Sequence, residues 1–447
     1  MSAFLDSRPV SPFQIATVAL CGLVLLLDGF DTQSIGFLAP AIAEELGIPV
    51  SSFGTVFAAG LFGLMVGTMV TGPIADRYGR KWAIILSTLT FGAFSLATPL
   101  AGTLNGFVAF RFLAGLGLGG AMPNVVALAS EYAPRRLQPI LVTLIFVGMG
   151  AGALLSGVLS SWMVPAWGWQ SVFYVGGIAP IALSLVLVKV LPESIRFLAA
   201  HGRSPDEIRR ILRRIAPGSP PMDVDVAPAA GERLPRIPVG HLFAHGRATA
   251  TLLIWVVFFM NLLILYFILS WLPALLRQAG MPISAGITAV SVFSLGGITG
   301  VLAQGPLMKL CGSHRVVLGE FLLALVLIVL AGNVFESFRL TMIVTFTLGV
   351  CIQGAQAALN AMAAMYYPTT IRSTGVGWAL GIGRVGSIVG PMIGGVMLSR
   401  NWPPQQILAA GAVPAACAVI AVLASLLIHG TGSPYRGERP VEAESVH

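Results

Sequence analysis

The 447-residue chain is 56% hydrophobic and only 10% charged, whereas an average soluble domain carries roughly 25% charged residues. That balance cannot cover a water-facing surface, so it excludes a water-soluble globular protein and marks an integral membrane protein. The formal charge of +8 is explained by the basic loops described below, and a nucleic-acid partner is not implied.

Apolar runs long enough to cross about 30 Å of hydrocarbon, roughly 20 residues at a 1.5 Å rise, identify membrane helices. Twelve occur, at 15–38, 51–73, 82–101, 105–128, 140–162, 171–191, 248–272, 283–308, 315–332, 339–362, 372–398 and 405–429. MSAFLDSRPV ahead of the first has neither a basic region nor a small-residue cleavage site, so span 1 reads as a retained helix. Within it lies DGFD, residues 28–31. Asp28 and Asp31 are three apart and project from one helical face. Each would cost about 2.5–3.5 kcal/mol at a membrane centre, so both are expected to face the interior. One explanation is structural, with basic residues pairing to the aspartates and locking helices together. The other is titration: burial favours a neutral carboxyl and a nearby cation favours the charged one, so such a group can change protonation as its surroundings open or close.

After span 2 comes GPIADRYGRK. There Gly72 and Gly79 permit tight backbone, Asp76 can cap a neighbouring helix, and Arg77, Arg80 and Lys81 can bind carboxylates or helix C-termini across the interface between halves. These six residues form the expected gate. Span 4 carries Arg111, at a depth matching Asp31, and ends near Glu131. Coupling between Arg111 and Asp31 is expected. Glu131 either relays protons or, as the favoured reading, pairs with Arg80 or Arg136.

Residues 192–247 differ from both flanks in their Pro, Gly and charge content and form a linker. SPDEIRRILRRI (204–215) begins with Ser204 as N-cap and Glu207 closing a capping box. It places Ile208, Ile211, Leu212 and Ile215 on one face, predicting a basic amphipathic helix against the membrane surface or the end of the bundle. Span 7 contributes Asn261 and Tyr266, and span 10 contributes Gln353, Gln356 and Asn360, one polar stripe at i, i+3 and i+7. Each amide serves either ligand binding or helix-to-helix hydrogen bonding. Arg384 in span 11 lies near the depth of Asp28. Its planar fork suits a carboxylate, so it is the candidate anion receptor, with permanent pairing to Asp28 as the alternative. Gln33 joins the candidate binding residues, and Phe30, Phe37, Phe57 and Trp378 are candidates to stack on an aromatic ring.

The basic residues Arg77, Arg80, Lys81, Arg135 and Arg136 and the linker cluster all follow even-numbered spans, which by the positive-inside rule puts both termini in the cytoplasm. Cys21, Cys311, Cys351 and Cys417 show no CxxC spacing and read as small core residues. The histidines form no metal or triad pattern, so neither a metal, a cofactor nor an enzyme is expected.

The halves repeat. GPIADRYG (72–79) aligns with GPLMKLCG (305–312) at an offset of 233, and EYAPRR (131–136) with MYYPTT (365–370) at 234. An all-α fold of two parallel six-helix pseudo-repeats is therefore expected, with its site at the midplane between them. Residues 1–191 form the first bundle, 192–247 the linker, 248–429 the second bundle and 430–447 a tail.

GPIADRYGRK resembles the signature loop of the major facilitator superfamily, RFLAGLGLGGAMPN (111–124) its fourth-helix motif, and LPESIRFL (191–198) its post-sixth-helix motif. DGFD, WLPALL and RSTGVGWALGIGRVGSIVGPMIGG (372–395) are similar to segments of the aromatic acid:proton symporter family. That resemblance implies helices 1, 4, 7 and 10 lining a cavity. It also implies a monomeric proton-coupled importer of aromatic carboxylates, such as hydroxybenzoates, in the cytoplasmic membrane. In the second copy of the loop Lys309 and Leu310 replace Asp76 and Arg77, so a weaker latch is expected there. GSIVGPMIGG fits an antiporter pattern, but in span 11 rather than span 5, which argues against an antiporter. Rival readings are a porter of a non-aromatic anion, a sugar facilitator, or a transporter-like sensor acting through the linker.

Overall fold

The computed structural model describes residues 10–134, 137–200, 205–215, 239–244, 246–331, 337–367 and 371–429. Arg135, Arg136, Ser204, residues 216–238 of the linker and the 430–447 tail lie outside the described residues. Among the described residues there is no strand. The first six long helices are α1 (Pro12–Leu46), α2 (Phe53–Tyr78), α3 (Arg80–Ala97), α4 (Leu104–Tyr132), α5 (Gln138–Trp167) and α6 (Gln170–Val190). Two short helices follow, α7 (Ile195–Ala200) and α8 (Pro205–Ile215). The second set is α9 (Ala248–Gln278), α10 (Ile283–Cys311), α11 (Ser313–Ala331), α12 (Phe338–Tyr366), α13 (Arg372–Ser399), α14 (Pro404–Ala410) and α15 (Ala412–His429). Helices α14 and α15 together make the twelfth span, giving twelve segments long and apolar enough to cross a membrane.

Several helices outrun their apolar stretches, because hydropathy marks only the portion matched to hydrocarbon. α1 begins at a capping box, in which the Gln14 backbone N–H donates to Ser11 Oγ at 3.3 Å and the Ser11 N–H donates to Gln14 Oε1 at 2.9 Å. It continues through Pro40 to Leu46 and stops at Gly47, whose φ of 62° ends the helix. Such left-handed stops recur through the fold. Gly47, Gly79 and Gly168 have positive φ, and so do Gly280, Gly312 and Asn401, each 233 residues later. Helix pairing repeats as well: α1 packs on α5 and α2 on α4, as α9 packs on α13 and α10 on α12. The duplication read from two short motifs is thus present in the backbone turns and in the packing.

The N-terminus of α1, the loop after α2 and the linker share one end of the bundle, here the linker end; the loop after α1 marks the far end. The two sets touch through α2 on α13, α5 on α10 and α1 on α9. At the far end the contact is close: a Cβ on Gly54 of α2 would lie 2.9 Å from Pro391 O and 3.2 Å from Gly395 Cα of α13. Phe57 meets Trp271 edge-on at 5.3 Å, and Arg277 of α9 binds Glu44 of α1 at 2.9 Å. Towards the linker end of the same α2 and α13, Gly72, Gly377 and Gly381 have open space where a Cβ would sit. The two sets are therefore in close contact at the far end, while these three glycines of α2 and α13 have open space beside them at the linker end.

Helix α8 buries Ile208, Ile211, Leu212 and Ile215 in the cluster that holds Val18, Tyr132 and Leu198, so its apolar face docks on the end of the bundle. Its arginines point outward, and Arg214 lies 5.6 Å from the Phe13 ring centroid. Cys21 and Cys351 are core residues and Cys417 is half-buried, whereas Cys311 is exposed because it occupies the last turn of α10.

Candidate functional site

Asp28 and Asp31 sit mid-way along α1, 1% and 0% exposed, so neither faces the outside of the bundle. A backbone constraint helps place them: Gly29, between them, lies so close to the Met149 carbonyl of α5 that any Cβ would collide with it. Asp31 is fully partnered. Arg111 of α4 donates through Nη1 to Oδ2 at 3.1 Å and through Nη2 to Oδ1 at 3.4 Å, and Ser95 Oγ donates to Oδ1. The same guanidinium reaches Ser95 Oγ at 3.4 Å and Thr98 Oγ1 at 3.3 Å, and it lies 5.2 Å from the Phe173 ring centroid of α6. This forked pair, buried on both sides, joins α1, α3, α4 and α6 inside the first half. Removing one member of such a pair strands an uncompensated charge, at a cost of about 3–5 kcal/mol.

Asp28 differs. Among the described residues its one hydrogen bond comes from Thr32 Oγ1 at 3.2 Å, one turn along the same helix, and no cation lies within salt-bridge distance, although the Arg384 charge is felt from farther off. Arg384 is half-buried on α13, and among the described residues it likewise has no carboxylate partner; Nη1 donates to Tyr266 OH at 3.3 Å. The permanent Asp28 to Arg384 pair weighed as an alternative is absent.

A cavity enclosing ≈ 540 Å³, part of it open to solvent, lies between the halves. Asp31, Gln33, Phe57 and Arg111 line it from the first half, and Tyr266 and Ser270 from the second. Gln33 makes no hydrogen bond among the described residues and presents a free amide there. Phe30 does not line it. Its ring is 2% exposed and turned towards Gly176 of α6, because the helical step that aims Asp28 and Asp31 inward aims Phe30 at the neighbouring helix. Phe37 is buried against α5 near Gly157, and Trp378 is exposed and stacked on Trp255 at 5.8 Å. Of the four aromatic candidates only Phe57 meets the cavity.

The polar stripe of α12 divides. Asn261, wholly buried on α9, donates from Nδ2 to Gln356 Oε1 at 2.9 Å and to Ile352 O at 3.3 Å. Gln356 Nε2 in turn donates to Asn360 Oδ1 at 3.3 Å. Asn261 therefore ties α9 to α12, while Gln353 packs over Gly297 of α10. The i, i+3, i+7 spacing fixes a face of α12, and neighbouring helices decide which members meet open space.

The expected gate is built inside the first half, not across halves. Arg80 binds Glu131, whose Oε2 accepts from Ser194 Oγ at 2.6 Å. Glu193 Oε1 accepts from the backbone N–H groups of Arg80 at 2.8 Å, Lys81 at 3.1 Å and Ser194 at 2.8 Å, capping the first turn of α3. Burial pushes the Glu193 carboxyl above its ordinary range, and those N–H groups pull it partly back. Gly79, at φ 102°, leaves room for that carboxylate where a side chain would clash. Asp76 and Arg77 are exposed, and Arg77 rests 5.5 Å from its neighbour Tyr78. Among the described residues Asp76 therefore caps no helix. Glu193 and Ser194 carried no assigned role in the sequence, nor did Ser95 and Thr98, an i, i+3 polar pair that was the available signal.

Two six-helix lobes with a charged cavity between them and close contact at one end define a membrane transporter of the two-lobe class. Comparison makes this particular. The family model described as Major Facilitator Superfamily matches residues 21–316 and 288–446, and the chain belongs to that superfamily, whose members here are transporters and not enzymes. The chain is 38% identical to the 4-hydroxybenzoate transporter PcaK of Acinetobacter baylyi, over 96% of this chain and 94% of that protein. It is 37% identical to a gallate transporter of Pseudomonas putida, over 94% of each. In fold it is similar to a partially occluded inward open structure of the E. coli xylose transporter XylE, with TM-score 0.73, 16% identity, and coverage of 93% of this chain and 99% of that one.

Proposed function

We propose that the protein imports an aromatic carboxylate of the hydroxybenzoate class together with protons, across the cytoplasmic membrane, by alternating access. Both termini and the linker face the cytoplasm in this reading, and the linker end is the inward opening. The protein works as a monomer, with residues 1–191 and 248–429 rocking about the cavity and 192–247 as their tether.

The observation that carries the reading is the contrast between the two guanidinium groups. Arg111 lines the cavity and is committed to Asp31, while Arg384 lies outside the lining and reaches it through the Tyr266 hydroxyl. A planar cation in no salt bridge among the described residues, one hydrogen bond from a cavity with aromatic and amide lining, suits an aryl carboxylate entering there. Tyr266 holds the guanidinium in place, and Phe57 and Gln33 supply a ring contact and a hydrogen bond. The named relatives, transporters of 4-hydroxybenzoate and gallate, support this substrate class over a sugar or dicarboxylate.

Asp28 takes the proton in this scheme. A buried carboxyl with no cation within salt-bridge distance is tolerated when neutral, and wetting of the inward opening lets it lose that proton to the cytoplasm. Asp31 and Arg111 hold α1 against α3 and α4, so a change at Asp28 moves with a rigid lobe. The test is uptake of labelled 4-hydroxybenzoate by membrane vesicles with an imposed inward proton gradient. Accumulation that collapses with an uncoupler is expected; accumulation indifferent to the gradient would remove proton coupling, and no uptake of any hydroxybenzoate would remove the substrate class.

A further inference from the structure

A second acid, half-buried, lies in the other half, away from the cavity. Glu320 sits on α11, seven residues from its linker-end start, and its Oε2 accepts from Gln304 Nε2 of α10 at 3.3 Å. Gln304 is 4% exposed, and its Oε1 is buried with no hydrogen-bond partner. Both side chains converge on Gly354 of α12: a Cβ built there would lie 2.8 Å from Glu320 Oε1 and 3.1 Å from Gln304 Oε1. Two acceptor oxygens from two helices thus approach the same glycine, and no hydrogen bond among the described residues reaches the buried Gln304 Oε1.

No counter-ion explains the acid. Glu320 forms no salt bridge among the described residues. Its own helix carries His314 and Arg315 at the linker end, and His314 Nε2 lies 3.5 Å from Ser425 Oγ. The helices packed on α11 bring Lys309 and Cys311 at the end of α10, Cys351 and Arg339 on α12, and Cys417 and His429 on α15. Of these, Cys351 is the one whose electrostatic environment includes Glu320.

The internal repeat shows how this site departs from its twin. At offsets of 233, 233 and 234, Gln304, Glu320 and Gly354 correspond to Thr71, Ser87 and Gly120. There Thr71 turns its methyl and Ser87 its hydroxyl onto Gly120, and Thr71 Oγ1 donates to Gly67 O of its own helix at 2.7 Å. The first half fills this three-helix junction with a methyl group and one small hydroxyl. The second half fills it with a carboxyl and a carboxamide that lack one donor hydrogen.

We infer that Glu320 is a proton-binding site of the C-terminal half: a proton resident on its Oε1 donates to Gln304 Oε1. With that proton, acid and amide form a cyclic pair of two hydrogen bonds, Gln304 Nε2–H to Glu320 Oε2 and Glu320 Oε1–H to Gln304 Oε1, and every buried polar atom is satisfied. Without it, the buried amide oxygen of Gln304 keeps no donor and a half-buried charge has no counter-ion within salt-bridge distance among the described residues. The proton ties α10 and α11 together over α12. It is a fixture of the lobe, distinct from the proton assigned to Asp28, and it does not rest on the transport reading.

The test compares purified wild type with Glu320→Gln and Glu320→Ala. At neutral pH, wild type is expected to show infrared carbonyl absorption from protonated carboxyl that falls by one carboxyl in Glu320→Gln. The apparent melting temperature of wild type should fall as pH rises from about 6 to about 9, the sign required of a group protonated in the folded state, and Glu320→Gln should flatten that fall. Glu320→Gln should also keep uptake, since its carboxamide replaces the neutral acid, and Glu320→Ala should melt lower at every pH. An unchanged infrared band and pH profile in Glu320→Gln would overturn the assignment. So would failure of that variant to fold, because the site would then need a charge, or a sodium-dependent stabilisation lost in Glu320→Gln, because the missing partner would then be a metal cation.

Discussion

Arg384 and Asp28 test the site at the level of single side chains. Arg384→Lys keeps the charge but loses the planar fork, so KM for 4-hydroxybenzoate should rise about tenfold, equivalent to about 1.4 kcal/mol, with kcat nearly unchanged. Steady-state uptake kinetics check this, and an unaltered KM would place the anion elsewhere. Asp28→Asn mimics the protonated carboxyl. It should abolish accumulation driven by a proton gradient while preserving substrate exchange between preloaded vesicles, a separation that a merely structural role would not produce. Both residues were legible in the sequence, because an ionisable group in an apolar span requires a reason. Phe30 was not: an aromatic ring satisfies a core and a binding site equally well, and only the neighbour α6 decides between them. Asn261 and Gln356 likewise hydrogen-bond each other, a pairing that spacing within one helix cannot reveal.

At the scale of elements, the loop after α2 acts as a joint within the first lobe. Gly79 combines φ 102° with a carboxylate pressed against its α-carbon, so Gly79→Ala meets both a strained backbone, about 1–3 kcal/mol, and a clash with Glu193. The variant should melt several degrees lower in detergent and reach the membrane in smaller amounts; wild-type melting would show that the α2 to α3 turn relaxes freely. The sequence reading paired Arg80 with Glu131, as found, but placed the loop's other contacts across the halves, where none is made among the described residues. Charged residues advertise that a contact exists, and whether it crosses between lobes depends on the conformation, which composition does not encode. The helix ends carry the complementary lesson. Gly47, Gly79 and Gly168 recur as Gly280, Gly312 and Asn401, so the turn chemistry repeats even where the charges of the first copy have become Lys309 and Leu310.

For the whole molecule, the duplicated architecture could be read from two aligned loops because insertion into a membrane leaves few alternatives to twelve long helices. The far-end closure could not, since Gly54, Gly395, Glu44 and Arg277 meet only when two distant lobes dock. The Glu44 to Arg277 pair is exposed and worth about 0–1 kcal/mol at rest, so its effect should appear in the balance between states and not in folding. Glu44→Arg alone should favour the outward-open form, and Glu44→Arg combined with Arg277→Glu should restore the wild-type balance, read from distances between spin labels at Arg77 and Trp378 on the linker ends of α2 and α13. The account as a whole joins substrate to a proton on α1, and that link can be measured without a membrane. Adding 4-hydroxybenzoate to purified protein in weakly buffered detergent solution should draw protons from the medium. Wild type is predicted to take them up in proportion to bound substrate and Asp28→Asn to take up none; substrate binding by wild type with no proton uptake, or equal uptake by the variant, would contradict it.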